Sequence, residues 1–186
     1  MFKEIIKPTL TIIVIAVVVS TLLAFTYNAA GIADLGGALT PAELEEYAPV
    51  VLPGSTKLVS AKTEVSSEGI DAVYRDEGGS GSAFMVTTKG YGGDLVILIG
   101  IDSEGKIAGA QTIENSETPG LGERAVKAEY LDKFRGKGES GIVTVKKPGE
   151  GGDVDAIAGS TISSLAVGDA MNLALAAYQE VKGELE

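Results

Sequence analysis

The sequence predicts an α+β fold: a single N-terminal transmembrane helix followed by one domain whose central antiparallel sheet is packed by helices. Residues 9–27 are uncharged and mostly apolar, and about 20 such residues cross the hydrocarbon core of a bilayer. Two strand-like segments farther along flank a short turn, and the chain closes with a long amphipathic helix. A chain of 186 residues is long enough for one hydrophobic core but short for two full domains.

The charges beside the apolar stretch predict its orientation. Lys3 and Lys7 precede it, and Asp34 is the first charged residue after it. Positive charge favours the cytoplasmic side of a membrane. The sequence therefore predicts residues 1–28 as a single-pass anchor in the lipid bilayer, with a cytoplasmic N-terminus, and residues 29–186 as an extracytoplasmic domain. A cleaved signal peptide is the alternative, although its apolar region is usually about 7–15 residues long.

Composition excludes several kinds of chemistry. The chain has no cysteine and no histidine, which excludes disulfides, thiol chemistry, Ser-His-Asp triads and Cys/His zinc sites. No loop carries the spaced aspartates of an EF-hand calcium site. The net charge of −11 would repel nucleic acid. The sequence predicts no metal site, no catalytic side chain and no nucleic-acid partner.

Helix and strand signals divide the first half of the outer domain. A capping box at Thr40–Glu43, with Pro41 at the first helical position, predicts a short helix that ends at about Tyr47. Four segments rich in β-branched and aliphatic residues predict strands. The last two of them, joined by a tight turn, predict an antiparallel pair at the centre of the sheet. The four segments are Ile70–Arg75, Phe84–Thr88, Asp94–Ile101 and Lys106–Ile113.

Two further helices are predicted in the second half. Apolar residues at core-facing intervals indicate a helix from Glu123 to about Phe134, and a short strand is predicted at Ile142–Lys146. The last helix has apolar residues at i, i+3, i+4 and i+7 positions, which should pack on the sheet. These residues are Val167, Ala170, Met171, Ala174, Ala177, Tyr178 and Val181.

The segment DAIAGSTISS, residues 155–164, leads into the last helix and is the first candidate site. A helix start leaves about four backbone N–H groups without partners and carries partial positive charge, which together favour a phosphate group. Gly159 permits close approach of the backbone, and four serine and threonine hydroxyl groups follow it. Because such residues are also ordinary helix caps, the segment alone leaves capping and phosphate binding open.

The segment ETPGLG, residues 117–122, is the second candidate. Pro119 holds the preceding residue away from helical angles, and glycines stand on both sides of Leu121. Such a loop can press its backbone and one aliphatic side chain against a flat ring, and it can equally be a plain turn into the next helix. The loop alone leaves both interpretations open.

Four motifs taken together resemble a known family. They are KGYGG at 89–93, GIDSEGKIAG at 100–109, ETPGLG at 117–122 and DAIAGSTISS at 155–164, in that order. The chain is similar to the G subunit of Rnf-type ion-translocating electron-transfer complexes. More broadly, it resembles the FMN-binding domain shared with the C subunit of the sodium-pumping NADH:quinone oxidoreductase. The resemblance covers the predicted anchor and most of the outer domain.

The resemblance implies a covalently bound flavin. In that family, the threonine of an Asp-x-x-(Ser/Thr)-Gly-Ala-Thr motif is joined to FMN by a phosphodiester bond, and this position corresponds to Thr161. Ala158 stands where the family usually has Ser or Thr, and Ser160 stands where Ala is usual. The resemblance also implies a separate flavin transferase that installs the FMN, in agreement with the absence of a histidine that could activate the hydroxyl group. The other expected cofactor-binding residues are Ser160, Gly159, Ile162, Ser163, Glu117, Thr118, Gly120, Leu121 and Gly122.

The resemblance also implies an electron carrier in the inner membrane of a bacterium. Its partners would be the other subunits of a complex that couples ferredoxin:NAD⁺ electron transfer to Na⁺ or H⁺ movement. No acid–base side chain is required, because the flavin itself passes the electrons. Three alternatives remain open: the C subunit of the quinone oxidoreductase, a membrane-tethered regulatory FMN-binding domain, and a flavin-free extracytoplasmic binding module whose hydroxyl groups only cap a helix.

Overall fold

The structure is a computed structural model that describes residues 12–23, 26, 39–63 and 65–185. Residues 12–23 are helical, and the large apolar side chains among them are more than half exposed. Within the described residues, no helix combines the length and the apolar character needed to cross a membrane. The predicted span at residues 9–27 lies partly outside the described residues, so the anchor and its orientation stay predictions.

The chain divides into two compact units, Met1–Leu39 and Thr40–Glu186, and the second opens with helix α1, Pro41–Val51. The predicted capping box is confirmed, because the Thr40 N–H donates to the Glu43 carboxylate at 2.8 Å and the Glu43 N–H donates to the Thr40 hydroxyl at 3.4 Å. The predicted end of this helix is wrong. It continues through Pro49 because the buried residues of its last turn pack against the sheet.

The core of the second unit is a five-stranded antiparallel sheet in which the strands follow chain order. The four predicted strands are confirmed: three extend beyond their predicted bounds, and the fourth begins one residue later and ends two residues later than predicted. A short first strand is added. The second strand of the predicted hairpin, however, is the edge of the sheet, and β3 is the centre. The strands are β1 Leu58–Ser60, β2 Ile70–Asp76, β3 Gly81–Lys89, β4 Asp94–Asp102 and β5 Ile107–Asn115.

Helices cover both faces of this sheet. Because side chains alternate along a strand, Phe84 and Val86 of β3 share one face, and they belong to the core that includes the last helix. Ala83 and Met85 are also buried and face the opposite side. The last helix, α3, runs over Thr161–Leu185. Its predicted core-facing residues are buried, apart from Tyr178, which is partly buried.

The predicted helix from Glu123 to Phe134 is wrong. Lys127 is extended, with φ −78° and ψ 151°, and interrupts the helical run. The carbonyl group of Val126 accepts a hydrogen bond from the Thr112 hydroxyl of β5 at 2.7 Å instead of continuing a helix. Three short pieces replace the predicted helix: a 3-10 turn at Gly122–Ala125, helix α2 at Ala128–Leu131 and a 3-10 turn at Asp132–Phe134.

A small parallel pair of strands leads into α3. The predicted strand at Ile142–Lys146 is shortened to β6, Val145–Lys146, which pairs with β7, Val154–Asp155. The Asp153 carboxylate accepts hydrogen bonds from the N–H and hydroxyl groups of Thr144 at 2.8 and 2.7 Å. These bonds lower the pKa of Asp153, and they hold the loop that precedes the first candidate motif.

A glycine pair sets the distance between α1 and the sheet. Gly100 of β4 pairs with Gly109 of β5, and a Cβ atom at Gly100 would overlap the carbonyl group of Val51. We expect Gly100→Ala to lower the free energy of unfolding of the full chain by about 1–3 kcal/mol, because this backbone contact cannot yield without moving α1. Gly183→Ala is the control, since the space around Gly183 is open. Equal denaturation midpoints for the two variants would contradict the prediction.

Candidate functional site

Three segments meet at one end of the sheet. The turn at residues 90–93 joins β3 to β4, and the loop at residues 117–122 follows β5, so the antiparallel pairing brings them to the same end. The Thr88 hydroxyl donates to the carbonyl group of Ala166 at 3.2 Å, which fixes the first turns of α3 beside them. The segments surround a cleft of about 410 Å³, called here the sheet-end cleft. It is lined by Tyr91, Thr118, Leu121, Gly122, Gly159, Ser160, Thr161, Ile162 and Ser163.

The N-terminus of α3, called here the head of α3, faces this cleft, and the serine before it does not cap the helix. The first helical hydrogen bond runs from the Ser164 N–H to the Ser160 carbonyl at 2.9 Å, so the N–H groups of residues 161–163 precede the helical hydrogen-bond ladder. Ser160 occupies the N-cap position, where a serine side chain usually accepts one of these N–H groups. Its hydroxyl group is buried and has no hydrogen-bond partner among the described residues. A polar group that enters the cleft therefore finds unused donors.

Hydrogen bonds of Ser164 hold the turn that precedes α3. The Ser164 hydroxyl accepts the Ile157 N–H at 3.0 Å and donates to the Ser160 carbonyl at 2.9 Å. Gly159 has a φ of +81°, a conformation that side chains disfavour. A Cβ at this position would meet only Leu121, at 3.8 Å. The backbone of this turn is thus fixed in shape and accessible from the cleft.

Glu117 ties the three segments together and is called here the Glu117 clamp. One carboxylate oxygen accepts the Tyr91 N–H at 2.8 Å, and the other accepts the Ser163 hydroxyl at 2.9 Å. The carboxylate is buried. Side chains at Gly90 and Gly122 would overlap it, so both glycines make room for the clamp. These contacts position the walls of the cleft, although Glu117 itself does not line it.

The rim of the cleft is apolar. Tyr91, Leu121 and Ile162 are 71%, 52% and 55% exposed, which is unusual for large apolar side chains gathered in one place. Thr161 lies half-buried between this rim and the head of α3. Apolar surfaces beside a helix head with unused N–H and hydroxyl donors suit a ligand that combines a flat ring with a phosphate group.

Most of the predicted cofactor-binding residues meet in this cleft, and two do not line it. Glu117 lies behind the wall, and Gly120 lies on the exposed tip of the loop, where its N–H donates to the Glu123 carboxylate at 3.0 Å. Tyr91 was not predicted as a site residue, although an aromatic residue between glycines in KGYGG is the signal that could have found it. Among the described residues, no group of carboxylates could hold a metal ion.

Comparison with known proteins adds a family context to this cleft. The FMN-binding domain family matches residues 90–176, a range that contains all three segments of the site. The G subunit of an ion-translocating oxidoreductase complex from Methanosarcina acetivorans is 34% identical over 181 residues, which covers 93% of this chain and 94% of the relative.

A second relative carries a more specific name. The G subunit of the Na⁺-translocating ferredoxin:NAD⁺ oxidoreductase complex of Acetobacterium woodii is 39% identical over 97 residues. That match covers 50% of this chain and 46% of the relative, so the chain aligns with just under half the length of this relative. Among solved structures, the C subunit of the Na⁺-translocating NADH-quinone reductase from Parabacteroides distasonis has a TM-score of 0.47 and 31% identity, covering 59% of this chain and 60% of that one.

Proposed function

Because this chain belongs to the G-subunit family of ion-translocating oxidoreductase complexes, we propose that it is an FMN-carrying electron carrier of such a complex. The complex would couple ferredoxin:NAD⁺ electron transfer to movement of Na⁺ or H⁺; the name of the Acetobacterium relative states Na⁺ translocation for that protein. The partners would be the other subunits. The chain would contribute no complete activity alone.

The observation that carries this proposal is the open head of α3. Ser160 lines the cleft, and its buried hydroxyl group has no hydrogen-bond partner among the described residues. It stands beside N–H groups that precede the helical ladder. These donors fit the phosphate group of FMN, whose negative charge the helix dipole also favours. The Ser163 hydroxyl group donates to the Glu117 carboxylate, and the Ser164 hydroxyl group donates to the Ser160 carbonyl group. Helix capping therefore does not account for all the serines of the segment.

The apolar rim fits the other end of the cofactor. Leu121, Ile162 and Tyr91 would contact the ring and exclude water from it. Thr118 and Gly122 border the same space. FMN supplies one- and two-electron transfer when bound, so the protein has only to bind, orient and shield it. The absence of histidine and cysteine from the sequence is compatible with that division of roles.

We further propose that Thr161 holds FMN through a phosphodiester bond. Its position as the first residue of α3, at the cleft, supports this assignment, as does its place in the motif. The linkage would keep one negative charge beside the helix head, where N–H groups stabilise it. A separate flavin transferase would form the bond, since none of the described residues that line the cleft is a histidine, a lysine or a carboxylate that could activate the hydroxyl group.

The membrane arrangement is also a proposal. Residues 1–28 would anchor the chain in the lipid bilayer, and residues 29–186 would form the FMN-carrying domain on the outer side of the cytoplasmic membrane. Support comes from the uncharged stretch at residues 9–27 and from Lys3 and Lys7 before it.

Intact-mass spectrometry of the full chain tests the cofactor assignment. The protein is produced together with a flavin transferase and purified in detergent from membranes. We expect a mass increase that matches one esterified FMN, located on the peptide that contains residues 155–164. A bare polypeptide mass, with no FMN released on denaturation, would reject the flavin function. Release of free FMN from a bare polypeptide would reject only the covalent bond. Purification without partner subunits from native membranes would favour a regulatory FMN-binding domain.

A further inference from the structure

A second cavity, of about 320 Å³, carries an unusual charge for this protein and is called here the basic pocket. Arg124, Lys127 and Lys133 line it together with one carboxylate, that of Glu129. The chain as a whole has a net charge of −11, yet residues 124–137 contain five of its 15 lysines and arginines and only two carboxylates. The pocket is thus a concentrated positive region on an acidic protein.

The cations of the basic pocket are available to a ligand. Arg124 has no ion pair among the residues that the structure describes. Within the same described residues, the one ion pair of Lys127 is an exposed pair with Glu123 at 3.6 Å, and such pairs are weak. Lys133 lies 5.3 Å from the ring centroid of Tyr130, whose own hydroxyl group is buried without a described partner. An anion would gain contacts here without displacing strong internal ones.

The basic pocket and the sheet-end cleft are built from the same two chain segments. Arg124 follows Gly122 of the cleft in one 3-10 turn. Ile157 of the pocket and Ser160 of the cleft close one tight turn, in which the Ser160 N–H donates to the Ile157 carbonyl at 2.9 Å. Thr161 follows directly. A ligand in the basic pocket would therefore lie beside the proposed attachment site.

Attachment of FMN to a hydroxyl group requires an activated donor. The new bond joins the Thr161 oxygen to the flavin phosphorus, so another bond to that phosphorus must break. A free phosphate monoester offers only a poor leaving group, whereas a flavin dinucleotide offers a phosphoanhydride bond. Its cleavage releases a nucleoside monophosphate, while the hydroxyl proton passes to a base of the transferase or to water. The departing group carries a doubly charged phosphate.

We propose that the basic pocket binds this departing phosphate, so that a flavin dinucleotide spans both cavities during attachment. The flavin half occupies the sheet-end cleft, and the nucleoside monophosphate half lies against Arg124 and Lys127. Hydrogen bonds from these cations strengthen as charge develops on the leaving oxygen. This inference rests on the proposed function, because it requires covalent attachment at Thr161.

The rate of attachment tests the pocket. Arg124→Gln/Lys127→Gln is compared with wild type in the full chain, at a fixed concentration of transferase and flavin dinucleotide, by in-gel flavin fluorescence. We expect the initial rate to fall at least about tenfold, since hydrogen bonds to charged groups are individually worth that much. Lys57→Gln/Lys182→Gln removes the same charge far along the chain from the pocket, and it should load at the wild-type rate.

A binding measurement separates phosphate recognition from contact with the transferase. Adenosine monophosphate is added to the full-chain Thr161→Ala protein, with and without the Arg124 and Lys127 substitutions, and saturation-transfer NMR detects binding. We expect binding that the two substitutions abolish. Slow loading without nucleotide binding would overturn the proposal, because the pocket would then contact the transferase. Wild-type loading rates in the double variant would overturn it while leaving the proposed function intact. A wild-type protein that never acquires covalent flavin would instead refute the proposed function itself.

Discussion

Replacing Thr161 with alanine is expected to abolish covalent FMN while leaving the fold intact. Thr161 is the first residue of α3 and lies half-buried at the cleft, where alanine is also compatible with a helix. The substitution removes the only oxygen to which we assign the phosphodiester bond. After production with the transferase, the wild-type band should fluoresce on a denaturing gel, and the Thr161→Ala band should be dark.

Ser160→Ala is the matched control for this experiment. It removes the neighbouring hydroxyl group, which is buried without a partner among the described residues. It also introduces alanine, the residue that is usual at this position in the motif that the sequence resembles. We expect covalent FMN to persist in this variant. In the Thr161→Ala background, Ser160→Ala should weaken reversible FMN binding by roughly two- to tenfold, the worth of one hydrogen bond. A fluorescent Thr161→Ala band, or a dark Ser160→Ala band, would contradict the assignment.

The parts of the fold that follow from local composition and periodicity were predictable. Segments rich in β-branched and aliphatic residues identified the long strands of the sheet, and the 3.6-residue repeat identified the buried face of α3. The errors arise where tertiary contacts outweigh local preference. The Val126 carbonyl group accepts a hydrogen bond from the Thr112 hydroxyl group of β5. This contact between distant parts of the chain interrupts the helix that the local apolar pattern of residues 123–134 predicts. Likewise, α1 continues through Pro49 because its last turn is buried.

The sequence predicted the residue types of the candidate site but not the directions in which their side chains point. The motif at residues 155–164 allowed both capping and phosphate binding. The choice depends on where each hydroxyl group points: Ser164 turns to Ile157, Ser163 turns to Glu117, and Ser160 has no partner among the described residues. No spacing in the sequence encodes these directions, because the Glu117 contact joins residues 46 positions apart. The basic pocket also emerges only when residues 124 and 157 meet.

Loss of the Glu117 clamp is expected to have the other large effect on the site. Glu117→Ala leaves the Ser163 hydroxyl and the Tyr91 N–H without their acceptor, next to the space that the carboxylate filled. We expect the free energy of unfolding to fall by about 1–3 kcal/mol. Reversible FMN binding should weaken at least about tenfold in the Thr161→Ala background, because three cleft segments lose their common contact.

Glu117→Gln separates the positioning role of the clamp from its charge. The amide oxygen can accept the Tyr91 N–H, and the amide nitrogen can donate to the Ser163 oxygen, so both contacts persist without the negative charge. We expect this variant to bind FMN and to unfold nearly as the wild-type protein does, as measured by flavin fluorescence titration and chemical denaturation. If it weakens FMN binding as much as Glu117→Ala, the clamp is not the reason that the site needs Glu117. Its buried negative charge would then be the feature on which the cleft depends.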